Sequence, residues 1–106
     1  MRFLDVCLNP AARGSRTHPV PYVLIVQGDF VDIHVSKLVI PLRRMQQSPM
    51  RIKDVMPVVT VLEEPFVVMT PEMAAVSVTE IGPVVASLAE SHSLIRRAID
   101  VLTGDF

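Results

Sequence analysis

Short apolar runs, each ended by a polar gap or a proline, fill the first eighty residues of the chain. Runs of four to eight residues that are continuously apolar, or that alternate with polar residues, are typical of β-strands. The expected strands cover residues 2–8, 22–27, 38–42, 58–62, 66–70 and 74–81. Residues 30–37 are expected to form a loop or an edge strand.

Proline and acidic residues divide these runs. Glu63-Glu64-Pro65 separates two of them and predicts a β-hairpin. Pro41 is expected to end its strand, because proline has no N–H for the ladder. One helical turn is expected over residues 43–47. Another short turn is expected at Thr70-Pro71-Glu72, because a capping hydroxyl, a proline and an acid follow one another as they do at helix starts.

A single long helix is predicted after the strands, beginning at Gly82-Pro83 and ending at a Gly104 cap. Strands grouped before one helix, without alternation, predict the α+β class. We therefore expect a single domain over 1–106, with a small antiparallel sheet or barrel followed by one long C-terminal helix. Its apolar stripe steps by three and four residues through Val85, Leu88, His92, Ile95, Ile99 and Leu102.

The apolar content is high for so small a domain. Half of the 106 residues are hydrophobic, and the mean hydropathy is +0.44. A small domain has too much surface to bury all of this apolar area. The six methionines suit an interface, because flexible thioethers adapt to irregular surfaces. Composition therefore predicts a homodimer.

The charge balance gives no sign of direct nucleic-acid binding. The formal net charge is −1 and the pI is about 6.3. A protein that grips phosphates carries a clustered basic surface, whereas the basic residues here are scattered, with pairs only at Arg43-Arg44 and Arg96-Arg97. DNA is therefore expected to be reached only through a partner.

The single cysteine excludes an internal disulfide, and Cys7 is expected to be a buried small hydrophobe. No apolar stretch approaches the ~18 residues of a membrane span. The N-terminal run contains Asp5 and lacks the longer apolar core of a signal peptide. These features predict a cytoplasmic protein with no membrane partner.

No catalytic constellation is visible in the sequence. His18, His34 and His92 lack a metal-ligand spacing, and the Glu63-Glu64 pair is expected at a solvated hairpin tip. No phosphate-binding loop, nucleophile elbow or zinc-protease motif occurs. A spatial triad built on the later serines stays open. The residues alone predict a dimeric binding module with no catalytic residue, no cofactor and no metal.

Five blocks of the sequence resemble the CcdB family of toxins from toxin–antitoxin systems. They are "QGD" at 27–29, "LVIPL" at 38–42, "PVV" at 57–59, "MTPEMAAVSVTEIG" at 69–82 and "AI" at 98–99. Their order and intervals match over nearly the whole chain.

The resemblance implies a fold, partners and a mode of action. The family fold is a small SH3-like antiparallel barrel with a C-terminal helix, and it assembles as a homodimer. Such toxins bind the A subunit of DNA gyrase on cleaved DNA and block religation, without a catalytic residue of their own. A CcdA-like antitoxin neutralises them with a disordered tail that folds on binding. DNA is contacted only indirectly, through gyrase or the antitoxin complex.

By position, the resemblance implies a gyrase-facing surface composed of Gly28, Phe30, Val31, Asp100, Gly104, Asp105 and Phe106. The antitoxin is expected to use part of the same loop and strand face. The tail departs from the family pattern, which ends in an aromatic followed by Trp-Gly-Ile. Here Thr103 is followed by Gly104-Asp105-Phe106, and the chain contains no tryptophan.

Two other functions remain open at the level of sequence. A CcdB-like homodimer could bind the antitoxin and no longer poison gyrase, since the Trp-Gly-Ile end is missing. An endoribonuclease of the MazF type has a related barrel architecture. The near-neutral charge and the lack of a clustered Arg, His and acid set argue against the ribonuclease.

Overall fold

The computed structural model describes residues 1–29, 35–47 and 51–104. Within these residues, strands and turns are followed by one α-helix, α1 (His92–Thr103). Short 3-10 turns lie at Pro10–Ala12, Met45–Gln47, Thr70–Glu72, Val78–Glu80 and Ala89–Ser91. The strands are β1 (Asp5–Leu8), β2 (Tyr22–Ile25), β3 (Ser36–Arg44), β4 (Val58–Val61), β5 (Glu64–Val68), β6 (Ala74–Ser77) and β7 (Val84–Ser87).

The strands form one curled antiparallel sheet in the order β4-β5-β3-β2-β1-β7, with β6 added beside β3. The long strand β3 organises it. One side of β3 pairs with β2, and the other side pairs first with β6 and then with β5. The sheet curls into a half-barrel followed by the C-terminal helix. This confirms the predicted α+β class and CcdB-like architecture.

The core lies between the concave face of the sheet and α1. Phe66 is fully buried at its centre, with the Tyr22 ring edge-on at 5.2 Å between centroids. Ile95 and Ala98 are the fully buried residues of α1. Burial of such large side chains contributes roughly 1.5–3 kcal/mol each. The core side chains from the sheet are chiefly Leu4, Val6, Leu24, Ile40, Leu42, Val61 and Val68.

The predicted start of the long helix at Pro83 is wrong. Val84–Ser87 forms β7, which pairs antiparallel with β1, and α1 begins only at His92. The β-branched Val84 and Val85 suit a strand, and β1 offers them an open ladder edge. His92 and Leu102 are exposed, so the buried stripe of the helix is shorter than predicted. Gly104 does cap the helix, with a φ of 76°.

Pro41 does not end its strand, because β3 continues to Arg44. Pro41 lies opposite Val23, and its carbonyl accepts a hydrogen bond from the Met69 N–H at 3.0 Å. The nitrogen of Pro41 therefore faces away from β2, at the junction between β6 and β5. No ladder N–H is required at that point, so proline fits inside the strand. Of the turn predicted over 43–47, only Met45–Gln47 forms.

The hairpin predicted around Glu63 is confirmed, but its turn is tighter than expected. Val61 pairs with Glu64, so only Leu62 and Glu63 connect β4 to β5. Both have positive φ, 49° and 70°, as a type I′ turn requires. Pro65 lies within β5 rather than in the turn. The strand predicted to Ile81 ends at Ser77, whose side chain accepts from the Thr79 N–H and begins a 3-10 turn.

Candidate functional site

The turn after β2 is tied to the N-terminal segment. Asp29 accepts a hydrogen bond from the Phe3 N–H at 2.7 Å, and its other carboxylate oxygen lies 4.0 Å from the Arg2 guanidinium. A Cβ built at Gly28 would meet no atom within 4 Å. The Gly28 backbone is therefore exposed and unobstructed at one end of the molecule, where a partner could approach closely.

A small pocket opens between this turn and α1. Its volume is about 210 Å³. The walls are apolar except for one arginine, and they are formed by Phe3, Val26, Gly28, Leu38, Met73, Arg96 and Ile99. Gly28 and Ile99 line the same pocket, so the turn after β2 faces the helix residue that precedes Asp100.

The Phe3 ring is flanked by two side chains of α1. The His92 ring meets it edge-on at 5.6 Å between centroids, and the Arg96 guanidinium lies 5.9 Å from its centroid. His92 and Arg96 are four residues apart and share one helix face. These contacts fix Phe3 and Arg96 at the edge of the pocket.

The C-terminal end of α1 is closed by Gly104. Its N–H donates to the carbonyls of Asp100 and Val101, and the Thr103 hydroxyl donates to the Ile99 carbonyl at 3.0 Å. Asp100 is half-buried one turn before this cap. The left-handed conformation at Gly104 turns the backbone away from the helix axis.

The seven residues expected to face gyrase divide into two sets. Gly28 lies at the turn after β2, whereas Asp100 and Gly104 lie on the last turn and cap of α1. The other four, Phe30, Val31, Asp105 and Phe106, lie outside the described residues. His34 also lies outside them.

A larger groove, of about 940 Å³, lies on another part of the surface. It runs between the loop after β1 on one side and the last residue of β3 and the first residue of β5 on the other. Arg13 and Arg16 stand exposed on its loop wall. Other lining residues include Asn9, Tyr22, Arg44, Gln47, Glu64 and Gly82.

Arg44 connects the loop wall of this groove to strand β5. Its side chain is 12% exposed and pairs with Glu64 at 2.5 Å. Its Nε donates to the His18 carbonyl at 2.9 Å, and its guanidinium lies 5.8 Å from the Phe66 ring centroid. Sequence reasoning treated Arg43-Arg44 as a scattered pair and missed this role. The partners lie 20 and 26 residues away, so no local pattern could identify them.

The residues with reactive side chains are held in structural roles. Cys7 is buried, as predicted; desolvation and, secondarily, the negative charge of Asp5 raise the pKa of its thiol, which disfavours the nucleophilic thiolate. His18 is half-buried, and its Nδ1 accepts from the Val20 N–H at 3.0 Å. Within residues 1–29, 35–47 and 51–104, no three His, Cys, Asp or Glu side chains form a metal-binding group.

No helix in the described part of the chain is long and apolar enough to cross a membrane. The fold defines the class of this protein: a curled antiparallel half-barrel with one C-terminal helix, carrying an open turn beside that helix.

The family follows from comparison with known proteins. The family model described as CcdB protein matches residues 5–104, nearly the whole chain. The protein therefore belongs to the CcdB family of toxins from toxin–antitoxin systems.

Proposed function

We propose that this protein is the homodimeric toxin of a toxin–antitoxin module, and that it binds the DNA gyrase A subunit on cleaved DNA. Bound there, it blocks religation, so the double-strand break persists. The proposal needs no catalytic residue and no cofactor from the toxin itself. The observation that carries it is family membership over residues 5–104.

The geometry of one end of the molecule supports gyrase binding. Gly28 presents an unobstructed backbone, and the pocket beside it joins this turn to Ile99 of α1. Asp100 and Gly104 follow on the same helix end. The exposed turn and α1 meet at this pocket, and the helix continues from Ile99 to its cap, so these parts can form one contact surface.

The missing Trp-Gly-Ile end favours a second candidate function. Aromatic anchors dominate many interfaces, and loss of one typically costs about 2 kcal/mol or more of binding free energy. Asp105 adds a negative charge where the family pattern has a neutral glycine. The second candidate is therefore a homodimer that binds the antitoxin and no longer poisons gyrase.

The homodimer is supported by apolar surface on the described residues. Leu94 and Leu102 of α1 are 43% and 41% exposed, and Val84 of β7 is 47% exposed. A second copy that covered such side chains would remove apolar area from water.

The larger groove supports binding of a disordered antitoxin segment. At about 940 Å³ it has room for several side chains, and Arg13 and Arg16 place positive charge on its loop wall. A segment that folds on binding and carries acidic residues would match both the shape and the charge. We therefore propose that the antitoxin segment extends into this groove from the loop and strand face that the family resemblance implies for it.

Expression in a bacterium without the antitoxin tests the proposal. We expect growth arrest with accumulation of broken DNA, and restoration of growth when the antitoxin is co-expressed. Normal growth with soluble dimer present would contradict the poison.

Pull-down with a gyrase A fragment and with the antitoxin then separates the two candidates. Binding to both supports the poison, whereas binding to the antitoxin alone supports the second candidate. Incubation with long RNA serves as the control for ribonuclease activity, and we expect the RNA to stay intact.

A further inference from the structure

The small pocket between the turn after β2 and α1 is the right size for one side chain. We propose that it receives one apolar side chain of the gyrase A subunit, and that Arg96 pairs with a carboxylate beside that side chain. The proposal deepens the proposed function and rests on it.

The pocket offers an apolar fit for a single residue. A cavity of about 150 Å³ lined by aliphatic and aromatic residues accommodates a benzene ring. The pocket here is about 210 Å³, so it admits a leucine or phenylalanine side chain. Leu38, Met73 and Ile99 are half-buried and pack on the main core, which makes the walls firm. Met73 adds a flexible thioether that adjusts to the shape of the guest.

Arg96 supplies the charge at the pocket. Its guanidinium stacks near Phe3, and it makes no hydrogen bond or ion pair with any residue that the structure describes. Asp29, by contrast, is engaged by the Phe3 N–H and by Arg2. A guanidinium that is already oriented on an aromatic ring loses little entropy when it binds a carboxylate. The charge of Arg96 is therefore matched by an acidic residue of gyrase next to the apolar residue that enters the pocket.

The position of the pocket selects gyrase as the partner that fills it. Gly28 forms part of its wall, and Ile99 directly precedes Asp100. The pocket is thus continuous with residues assigned to the gyrase-facing surface. The larger groove, into which we propose that the antitoxin segment extends, shares none of the pocket's lining residues. In the proposed complex, the toxin provides the pocket and gyrase provides the side chain that fills it.

Two variants and two matched controls test the proposal on the purified full-length protein, with a gyrase A fragment as the probe in calorimetry. Met73→Trp fills the pocket, and Ser93→Trp adds the same ring at an exposed position of α1. Arg96→Glu reverses the charge at the pocket, and Arg97→Glu makes the same change one residue along the helix, outside the pocket lining. We expect Met73→Trp and Arg96→Glu each to weaken gyrase binding by about tenfold or more, as removal of an interface anchor does. The two controls should stay within about twofold of wild type.

The outcomes separate this proposal from the proposed function. If the wild-type protein does not bind the gyrase fragment, the proposed function itself fails. If wild type binds and both pocket variants bind equally well, gyrase does not fill the pocket. Dissociation of the dimer by Met73→Trp would assign the pocket to a second copy, and loss of antitoxin binding alone would assign it to the antitoxin; either result overturns the proposal. If Met73→Trp does not fold, the comparison of Arg96→Glu with Arg97→Glu decides.

Discussion

At the scale of single residues, several positions have roles that only tertiary contacts define. Gly82 lies against β1, and its N–H donates to the Leu8 carbonyl at 2.8 Å. The Arg44 side chain contacts two distant segments of the chain, the loop after β1 and strand β5. No pattern of neighbouring residues could predict either role, because the partners are far away in sequence. Burial of Cys7 could be predicted, because a cysteine within an apolar run is usually a small core residue.

Gly82→Ala is expected to destabilise the protein by roughly 1–3 kcal/mol, as overpacking does. An added Cβ would lie 2.7 Å from the Leu8 carbonyl oxygen and 2.9 Å from the Leu8 Cβ, so β1 or the turn must move. Gly28→Ala is the matched control, since its Cβ meets no atom within 4 Å. Urea unfolding measures both; equal stabilities would contradict the close approach of Gly82 to β1.

Arg44→Met is expected to lower the free energy of unfolding by about 2 kcal/mol, within the range for loss of hydrogen bonds to a charged group. It removes the pairing with Glu64 and the bond to the His18 carbonyl. Arg43→Met, which removes one exposed bond to the Gln47 carbonyl, should cost less than half as much. Thermal unfolding compares the two variants, and a larger loss for Arg43→Met would refute the role given to Arg44.

The Cys7 thiol makes stability depend on pH. Because its pKa is raised in the folded state, the neutral thiol is favoured there, and the unfolded thiol ionises first as pH rises. The stability that the neutral Cys7 thiol contributes is therefore fully present below the unfolded pKa of about 8.5, and it is lost as the pH rises above that value. Denaturant titration of wild type and Cys7→Ala between pH 7 and about 10 isolates this contribution. The loss of stability with rising pH should be smaller in Cys7→Ala than in wild type. Equal losses in the two proteins would contradict a role for the Cys7 thiol.

At the scale of elements, the sequence predicted the strands whose apolar pattern is local. The predicted hairpin of β4 and β5 was confirmed, and so was the part of the predicted helix over residues 92–103. The backbone hydrogen bonds of a hairpin and of a helix join residues that lie close together in sequence. The segment Val84–Ser87 was misassigned, since Val85 and Leu88 fall by spacing on the helical stripe. This segment forms a strand because it pairs with the open edge of β1, almost eighty residues earlier in the sequence. The prediction for Pro41 was wrong for the same reason: whether the ladder needs an N–H at this position depends on where β5 and β6 meet β3.

Ile95→Ala tests the packing of α1 on the half-barrel. Ile95 is fully buried, so the substitution should cost about 2–5 kcal/mol by creating a cavity. Arg97→Ala, at an exposed position on the same helix, should cost well under half of this. Circular dichroism during urea unfolding gives both values. Similar losses for the two variants would mean that α1 packs through another face.

At the scale of the whole molecule, the fold could be predicted but only part of the candidate site. The grouping of strands before one helix predicted the α+β class, and the blocks shared with the CcdB family predicted the architecture. The resemblance also assigns Gly28, Asp100 and Gly104 to the gyrase-facing surface, and this assignment stays a prediction. The pocket that joins Phe3, Met73 and Arg96 could not be predicted, because these residues meet only when the sheet curls against α1.

The proposed activity of this protein is to trap cleaved DNA on gyrase, and a plasmid cleavage assay measures that activity. Purified toxin is added to gyrase, supercoiled plasmid and ATP, and the linear DNA that is bound covalently to the A subunit is measured after denaturation. We expect linear DNA to accumulate with toxin concentration, and we expect prior addition of antitoxin to prevent this. If linear DNA stays at the level of toxin-free gyrase while the toxin is folded and dimeric, the protein is not a gyrase poison.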